Sequence, residues 1–466
     1  MTHVVVIGAY GSAGVAVADR LADEPDVRLT LVDDGDPGGG LCILRGCMPS
    51  KDVFSAAEHR YRARVDDRLA GDPPDVDLER VVARKDEHVS NFARHRRAAV
   101  HRLAERDDVE FVHETARFVD DRTVAVGDRR IEADYVVVAT GSTPNVPDVP
   151  GLDDVSYATS ADVLDATDLP ESGIVVGFGY VGLEMAPYLA EAGGVDLTVV
   201  EHDARPLDEA DDEFGDALLD VYREEFGIEV LTRADERSFA PTEAGAELTY
   251  ERDGEERTVE AEEVFVFAGR RPALDGLGLE NTSLEPGEGW VDATMRARDA
   301  ERTFVVGDAN GREPVLHVAK EQGILAADNV LRHRDGEDLR EYHNLHHHVI
   351  FSGLAVYPFA HVGHSRASAE AAGVDHVAVT REAASDGVFA VKDAARGLAR
   401  LVVATDGTVL GYQGLHYHAD VMAKTMQVVV EREMDVREVP DRAYHPTTPE
   451  IIDGLLREAK RELDGA

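Results

Sequence analysis

Cys42 and Cys47 are the only cysteines in this 466-residue chain, and they stand inside Gly38-Gly-Gly-Leu-Cys42-Ile-Leu-Arg-Gly-Cys47-Met-Pro-Ser-Lys51. Two thiols this close, in a chain that uses no others, are suited to making and breaking a bond with each other, since structural bridges usually close longer loops. Two unrelated buried thiols are the plainer alternative. A zinc pair competes less well, because such sites favour shorter cysteine spacings and need further thiolate or imidazole ligands nearby. Histidines do cluster at His346-His347-His348, with His416 and His418 further on. No carboxylate or thiolate stands at an evident ligand spacing from them, so no metal site is expected.

Two further segments read as strand, glycine turn, helix. The first runs His3-Val-Val-Val-Ile-Gly8-Ala-Tyr10-Gly11-Ser-Ala-Gly14, then an alanine-rich helix, then Leu29-Thr-Leu-Val-Asp33. Glycines let the backbone approach a pyrophosphate at a helix N-terminus, and an acid about 20 positions on can hold a ribose hydroxyl. Gly8, Gly11, Gly14 and Asp33 fit those roles, with Tyr10 reading as a one-residue insertion in the turn. The second copy is regular: Gly177-Phe-Gly179-Tyr180-Val-Gly182-Leu-Glu184, a helix, then Leu197-Thr-Val-Val-Glu201-His-Asp-Ala-Arg205. Two such units in one chain point to two dinucleotides, one able to donate electrons to the other.

The elements that must position these groups are bounded by composition. The length favours about three domains, and no apolar run approaches the ~20 residues of a membrane helix. The N-terminus enters a strand at once, leaving no room for a signal peptide, so a cytoplasmic address is expected, where a reversible dithiol is more plausible than a structural bridge. With 92 acidic against 48 basic residues the formal net charge is −44, which argues against a polyanionic partner such as nucleic acid. The acids are spread through the chain and lysines are few, a pattern that resembles proteins of salt-loving archaea. In molar salt the Debye length falls to ~3 Å and screens the self-repulsion. Strands are expected around Gly387-Val-Phe-Ala-Val and Leu398-Ala-Arg-Leu-Val-Val, and a helical stretch over Lys85 to Arg106, on which His95 and Arg96 are candidates to hold a substrate; surface solvation explains them equally well, and they are left out of the site.

Six pieces in order resemble the FAD-dependent pyridine nucleotide-disulfide oxidoreductases, the group of dihydrolipoamide dehydrogenase, glutathione reductase and mercuric reductase. They are the first glycine turn; Cys42 to Lys51; Ala139-Thr140-Gly141 after Tyr135-Val-Val-Val; the second glycine turn; Thr303-Phe-Val-Val-Gly307-Asp308; and His445-Pro-Thr-Thr-Pro-Glu450. The resemblance implies an α/β fold with two Rossmann-like domains and an α+β C-terminal dimerisation domain. Residues 1–150 and 270–335 would bind FAD, 151–269 NAD(P), and 336–466 would form the homodimer interface. Thr140, Gly141 and Asp308 would then contact FAD. Cys47 would lie against the flavin as its charge-transfer partner and Cys42 would attack the substrate, with His445 as acid-base catalyst oriented by Glu450 and reaching the partner subunit's pair. Lys51, held by Glu184, would sit near the flavin, and Tyr180 would gate the nicotinamide. For the donor, Glu201 favours NADH and Arg205 favours the 2′-phosphate of NADPH; NADPH is the expectation. The segment Phe351 to Gly363 departs from the family's usual Phe-Thr-x-Pro-Glu pattern and is longer.

The resemblance also implies a substrate class. Without extra C-terminal cysteines, mercury and protein substrates are disfavoured. Arg45 in Ile43-Leu-Arg45 would put a guanidinium near the pair, suited to a carboxylate-bearing disulfide. Gly46-Cys-Met-Pro-Ser-Lys51 and Arg442-Ala-Tyr-His445-Pro-Thr447 resemble the bis-γ-glutamylcystine reductases of haloarchaea. Reduction of bis-γ-glutamylcystine is thus expected, with dihydrolipoamide dehydrogenase using NAD as alternative, and a metal-handling or redox-sensing flavoprotein without disulfide turnover as the reading of another class.

Overall fold

The β-branched run Thr2–Ile7 is buried along most of its length, as a strand covered on both faces must be. It lies at the centre of a five-stranded sheet ordered Thr303–Val305, Tyr135–Val138, Thr2–Ile7, Val27–Val32, Val109–Val112. Every pairing in it is parallel. The helix Ser12–Ala22 follows the central strand and buries Ala13, Val17, Ala18 and Leu21. Position 14 must be glycine, because a Cβ there would stand 2.1 Å from the Gly8 carbonyl oxygen. This sheet belongs to a unit made of Met1–Lys51, Ala83–Asn145 and Arg270–Asn344 in a computed structural model that describes residues 1–465.

The second unit comprises Asp52–Val82, Val146–Gly269 and the chain from Leu345 onward. It repeats the parallel pattern in the order Glu229–Thr232, Asp196–Glu201, Ser172–Val176, Glu263–Val266, Tyr157–Thr159. It also holds an antiparallel sheet ordered His347–Ile350, Phe359–Gly363, Val409–Leu415, Leu398–Ala404, His376–Glu382. The helices Ala419–Glu431 and Glu450–Gly465 share an apolar core with that sheet through Met422, Met426, Ile451 and Leu455. The α/β character with a C-terminal α+β portion is as expected.

One local expectation fails. Gly387–Ala390 is a single helical turn that buries Val388 and Phe389, not a strand. A run of so few apolar residues carries no period that separates strand from helix. The expected helical stretch is real, spanning Leu78–Leu103. No helix among the described residues is long and apolar enough to cross a membrane.

Candidate active site

The first glycine turn is built by close backbone approach. Gly8 has φ +93°, and a Cβ there would stand 2.3 Å from the Ala139 carbonyl oxygen. Only glycine meets both demands. Tyr10 explains itself here: its ring is buried, packs on Phe111 at 5.1 Å, and its hydroxyl lies 2.8 Å from His101 Nε2. A Cβ at Gly38 would fall 2.1 Å from that ring, and one at Gly40, with φ +76°, 2.9 Å from Gly11 Cα. The glycine run before Cys42 is therefore the surface on which the redox loop seats against the dinucleotide turn.

Asp33 closes the same turn. Its Oδ2 accepts the Tyr10 amide at 2.8 Å and its Oδ1 the Gly35 amide at 2.9 Å. Burial pushes its carboxyl above the usual range, against the pull of these two amides. Two amides leave a carboxylate with lone pairs to spare for a ribose hydroxyl. Thr140 Oγ1 is buried with no hydrogen-bond partner in the protein, and a Cβ on neighbouring Gly141, at φ +75°, would meet nothing within 4 Å. Asp308 Oδ2 accepts the Ser142 hydroxyl at 2.6 Å, and Arg270 Nε donates to the same Ser142 oxygen at 2.9 Å. An orphan hydroxyl, an open glycine, a spare carboxylate and a free helix N-terminus suit a dinucleotide such as FAD.

The redox pair lies in the same unit. Cys42 is half-buried on the short helix Leu41–Leu44; Cys47 is exposed and opens the helix Cys47–Val65. The Cys42 thiol hydrogen-bonds the Cys47 side chain, and that bond together with burial pushes its pKa up. The Cys47 backbone amide and the positive charge of Arg96 oppose the rise. Arg96 is the group that sequence reading set aside. It is mostly buried, which lowers its own pKa, and its Nη1 donates to the Tyr10 carbonyl at 3.1 Å. Nothing in the local sequence separates it from its solvated neighbours on the same helix. Arg45 caps the end of Leu41–Leu44, is exposed, and makes no ion pair among the described residues. Lys51 stands four residues beyond Cys47, one helical turn along the same face.

In the second unit the glycine turn repeats the design. Gly177 has φ +92°, and a Cβ on Gly182 would come within 2.3 Å of its carbonyl oxygen, while Gly179 opens on free space. Glu201 Oε2 accepts the Phe178 amide at 3.1 Å and Oε1 the Asp203 amide at 3.0 Å, the same grip that Asp33 has on the first turn. Burial raises its carboxyl as well. Arg205 is held between Asp216 at 2.9 Å and Asp212 at 3.1 Å. Glu184, on the helix Tyr180–Gly193, accepts the Phe351 amide at 3.0 Å. Tyr180 is 42% exposed, stacks on His348, and donates its hydroxyl to Glu209 at 3.2 Å.

His445 and Glu450, paired by the resemblance, lie in contact. His445 Nδ1 lies 3.1 Å from Glu450 Oε2, and Glu450 Oε1 also accepts the Thr447 amide at 2.8 Å. The Thr447 amide and then His445 hold the Glu450 carboxyl below its ordinary range. The His445 side chain is 82% exposed. His416 is engaged elsewhere, by the Tyr412 hydroxyl and the Tyr417 carbonyl.

Comparison with known proteins gives the family and the fold. Residues 2–323 match the family described as "Pyridine nucleotide-disulphide oxidoreductase" and 348–455 its dimerisation domain. A dihydrolipoyl dehydrogenase of Haloferax volcanii is 31% identical over 97% of this chain and 94% of its own. A mercuric reductase of Streptomyces lividans is 31% identical over 85% and 83%. The HOCl-induced flavoprotein disulfide reductase RclA of Escherichia coli superposes with TM-score 0.82 at 21% identity, over 98% of this chain and 99% of that one. The chain belongs to the pyridine nucleotide-disulfide oxidoreductases, enzymes that work with FAD and a nicotinamide nucleotide.

Proposed function

We propose that the chain reduces a low-molecular-weight disulfide carrying carboxylates, bis-γ-glutamylcystine foremost, through Cys42 and Cys47, as a homodimer. The observation that carries the substrate class is Arg45, an exposed guanidinium three residues from Cys42 that no acid among the described residues engages, although acids outnumber bases 92 to 48. A free fork of donors in so acidic a protein suits a substrate carboxylate.

Bound FAD supplies the relay of two electrons from the nicotinamide to the cysteine pair. The reduced pair then does the exchange. The Cys42 thiolate attacks one sulfur of the substrate, a mixed disulfide forms, and the first substrate thiol leaves with a proton. The Cys47 thiolate attacks the Cys42 sulfur, the Cys42–Cys47 bond re-forms, and the second thiol leaves with another. The Cys42 thiol holds its proton above the usual cysteine range, so a base must take it. Glu450 accepts from His445 Nδ1 and leaves Nε2 as the basic nitrogen. The 82% exposure of that imidazole supports its acting on the pair of a second copy of the chain. Lys51 places a cation on the Cys47 face of the helix, favouring negative charge there.

For the donor we favour NADH. The expectation of NADPH rested on the family resemblance, with Glu201 and Arg205 in conflict; the Arg205 guanidinium is shared by Asp212 and Asp216, while the Glu201 carboxylate repels a 2′-phosphate. The Haloferax relative, a dihydrolipoyl dehydrogenase by name, sustains dihydrolipoamide oxidation with NAD as the second reading. Initial rates in molar KCl decide, with NADH and NADPH each against bis-γ-glutamylcystine, oxidised glutathione and lipoamide. Preference for bis-γ-glutamylcystine supports the proposal, preference for lipoamide replaces it, and no turnover of any disulfide returns the redox-sensing alternative.

A further inference from the structure

The histidine run is completed by His361, opposite His348 on the neighbouring antiparallel strand, and by Glu209, far away in sequence. Glu209, His346, His348 and His361 each offer one ligand atom, and these atoms all lie within 4.8 Å of one another. His346 Nε2 is 2.7 Å from Glu209 Oε2 and 3.0 Å from His348 Nδ1. The ring centroids of the three histidines are 5.0, 5.3 and 5.6 Å apart. His348 and His361 are buried, and Glu209 stands at the solvent rim.

His361 carries the argument. Its Nε2 lies 3.0 Å from the Gly363 carbonyl oxygen, which fixes the proton on that nitrogen. Nδ1 is therefore a bare lone pair, and it is buried without a hydrogen-bond partner. A buried acceptor left unpaired is destabilising, and a cation removes the cost. A backbone carbonyl holding the far ring nitrogen is the usual second support of a metal-ligating histidine. Two nitrogens bound tetrahedrally at about 2.0–2.1 Å stand about 3.3 Å apart, close to the His346–His348 separation of 3.0 Å. His361 lies in the segment 351–363, where the sequence departs from its family pattern.

We propose that Glu209, His346, His348 and His361 bind a divalent first-row transition cation, with Zn²⁺ the best match. Three imidazoles and one carboxylate select such an ion over Mg²⁺ or Ca²⁺, which take oxygen ligands. Bound metal takes the Glu209 carboxylate that now accepts the Tyr180 hydroxyl, so the site also bears on the residue at the nicotinamide turn.

The test uses FAD holoprotein in molar KCl, stripped with chelator, with the Cys42–Cys47 disulfide formed so that the thiols are not ligands. Equilibrium dialysis against ZnCl2 in excess Mg²⁺ should give one equivalent bound. Zinc-edge absorption should show four nitrogen or oxygen neighbours at about 2.0–2.1 Å and no sulfur. His361→Gln and Glu209→Gln should each weaken binding at least about tenfold. His347→Gln, which changes the run but not the cluster, should leave it unchanged. FAD content checks folding, and Glu209, on the exposed rim, gives a variant with no core to disturb. Absence of binding at micromolar zinc, sulfur in the shell, or retention in both Gln variants overturns the proposal.

Discussion

Thr140→Val separates two states of one hydroxyl. In the protein alone Oγ1 is buried and unpaired, and such a group costs roughly 1–3 kcal/mol relative to one that is satisfied. Valine matches threonine in shape, so the substitution removes the cost without opening a cavity. The apoprotein should therefore be no less stable than wild type, and up to about 1 kcal/mol more stable after relaxation. If FAD supplies the missing partner, that same hydroxyl is repaid on binding, and valine forfeits it. A difference of about 1–3 kcal/mol is about 5- to 150-fold in FAD dissociation constant. The assay is flavin fluorescence titration of apoprotein in molar KCl, beside thermal melts of apo and holo forms. The signs must oppose: apo melting unchanged or raised, FAD affinity lowered. Unchanged FAD affinity with a destabilised apoprotein would refute the reasoning, because Oγ1 would then serve the fold and not the cofactor.

Three other outcomes are expected. His445→Gln should lower disulfide turnover by about 10²- to 10⁴-fold while leaving flavin reduction by the nicotinamide unchanged in stopped flow; loss of both would place His445 outside the exchange step. Glu213 has its carboxyl drawn down to about 2, chiefly by its bond to Arg400. The unfolded chain thus binds the proton first as pH falls from the ordinary 4.5, and the contribution, complete above that value, is lost down to about 2. Because Glu213 is 44% exposed, its share is under about 1 kcal/mol, and thermal melts of Glu213→Gln should show a correspondingly shallower fall between those pH values. Circular dichroism in dilute buffer should show lost native signal, restored by molar KCl; a full signal without salt would contradict a fold that depends on screened acids.

The order of the chain was legible wherever backbone geometry forces residue type. Gly8, Gly14, Gly177 and Gly182 are demanded by contacts of 2.1 to 2.9 Å that no side chain allows, so they announce both turns in sequence. The Cys42–Cys47 pair and the His445–Glu450 dyad are local, and spacing alone brings each together. Long-range partners were not legible. Glu209 and His361 reach His346 only because parallel and antiparallel sheets fold distant segments side by side. Arg96 reaches the Tyr10 carbonyl and the field of Cys42 only through what the helix Leu78–Leu103 packs against, which local sequence does not show. Gly387–Ala390 failed because four apolar residues fit either period.

The two acids at the ends of second strands show one device used in both glycine turns. Asp33 and Glu201 each accept the amide of the aromatic residue inside their glycine turn, Tyr10 in one and Phe178 in the other, and the amide two residues past themselves. Each carboxylate thus fixes the turn before any ligand arrives, and both are raised by burial. Tyr10 does not disturb that grip, because it sends its ring sideways into Phe111 and His101. The same ring forbids a side chain at Gly38. Tyr10 and the glycine run before Cys42 are therefore packed as one unit. A shift in the first turn should move the loop that carries Cys42 and Cys47, so Tyr10→Ala is expected to lower FAD affinity in flavin titration and to change the alkylation rate of Cys42 together; a change in one alone would separate the turn from the loop.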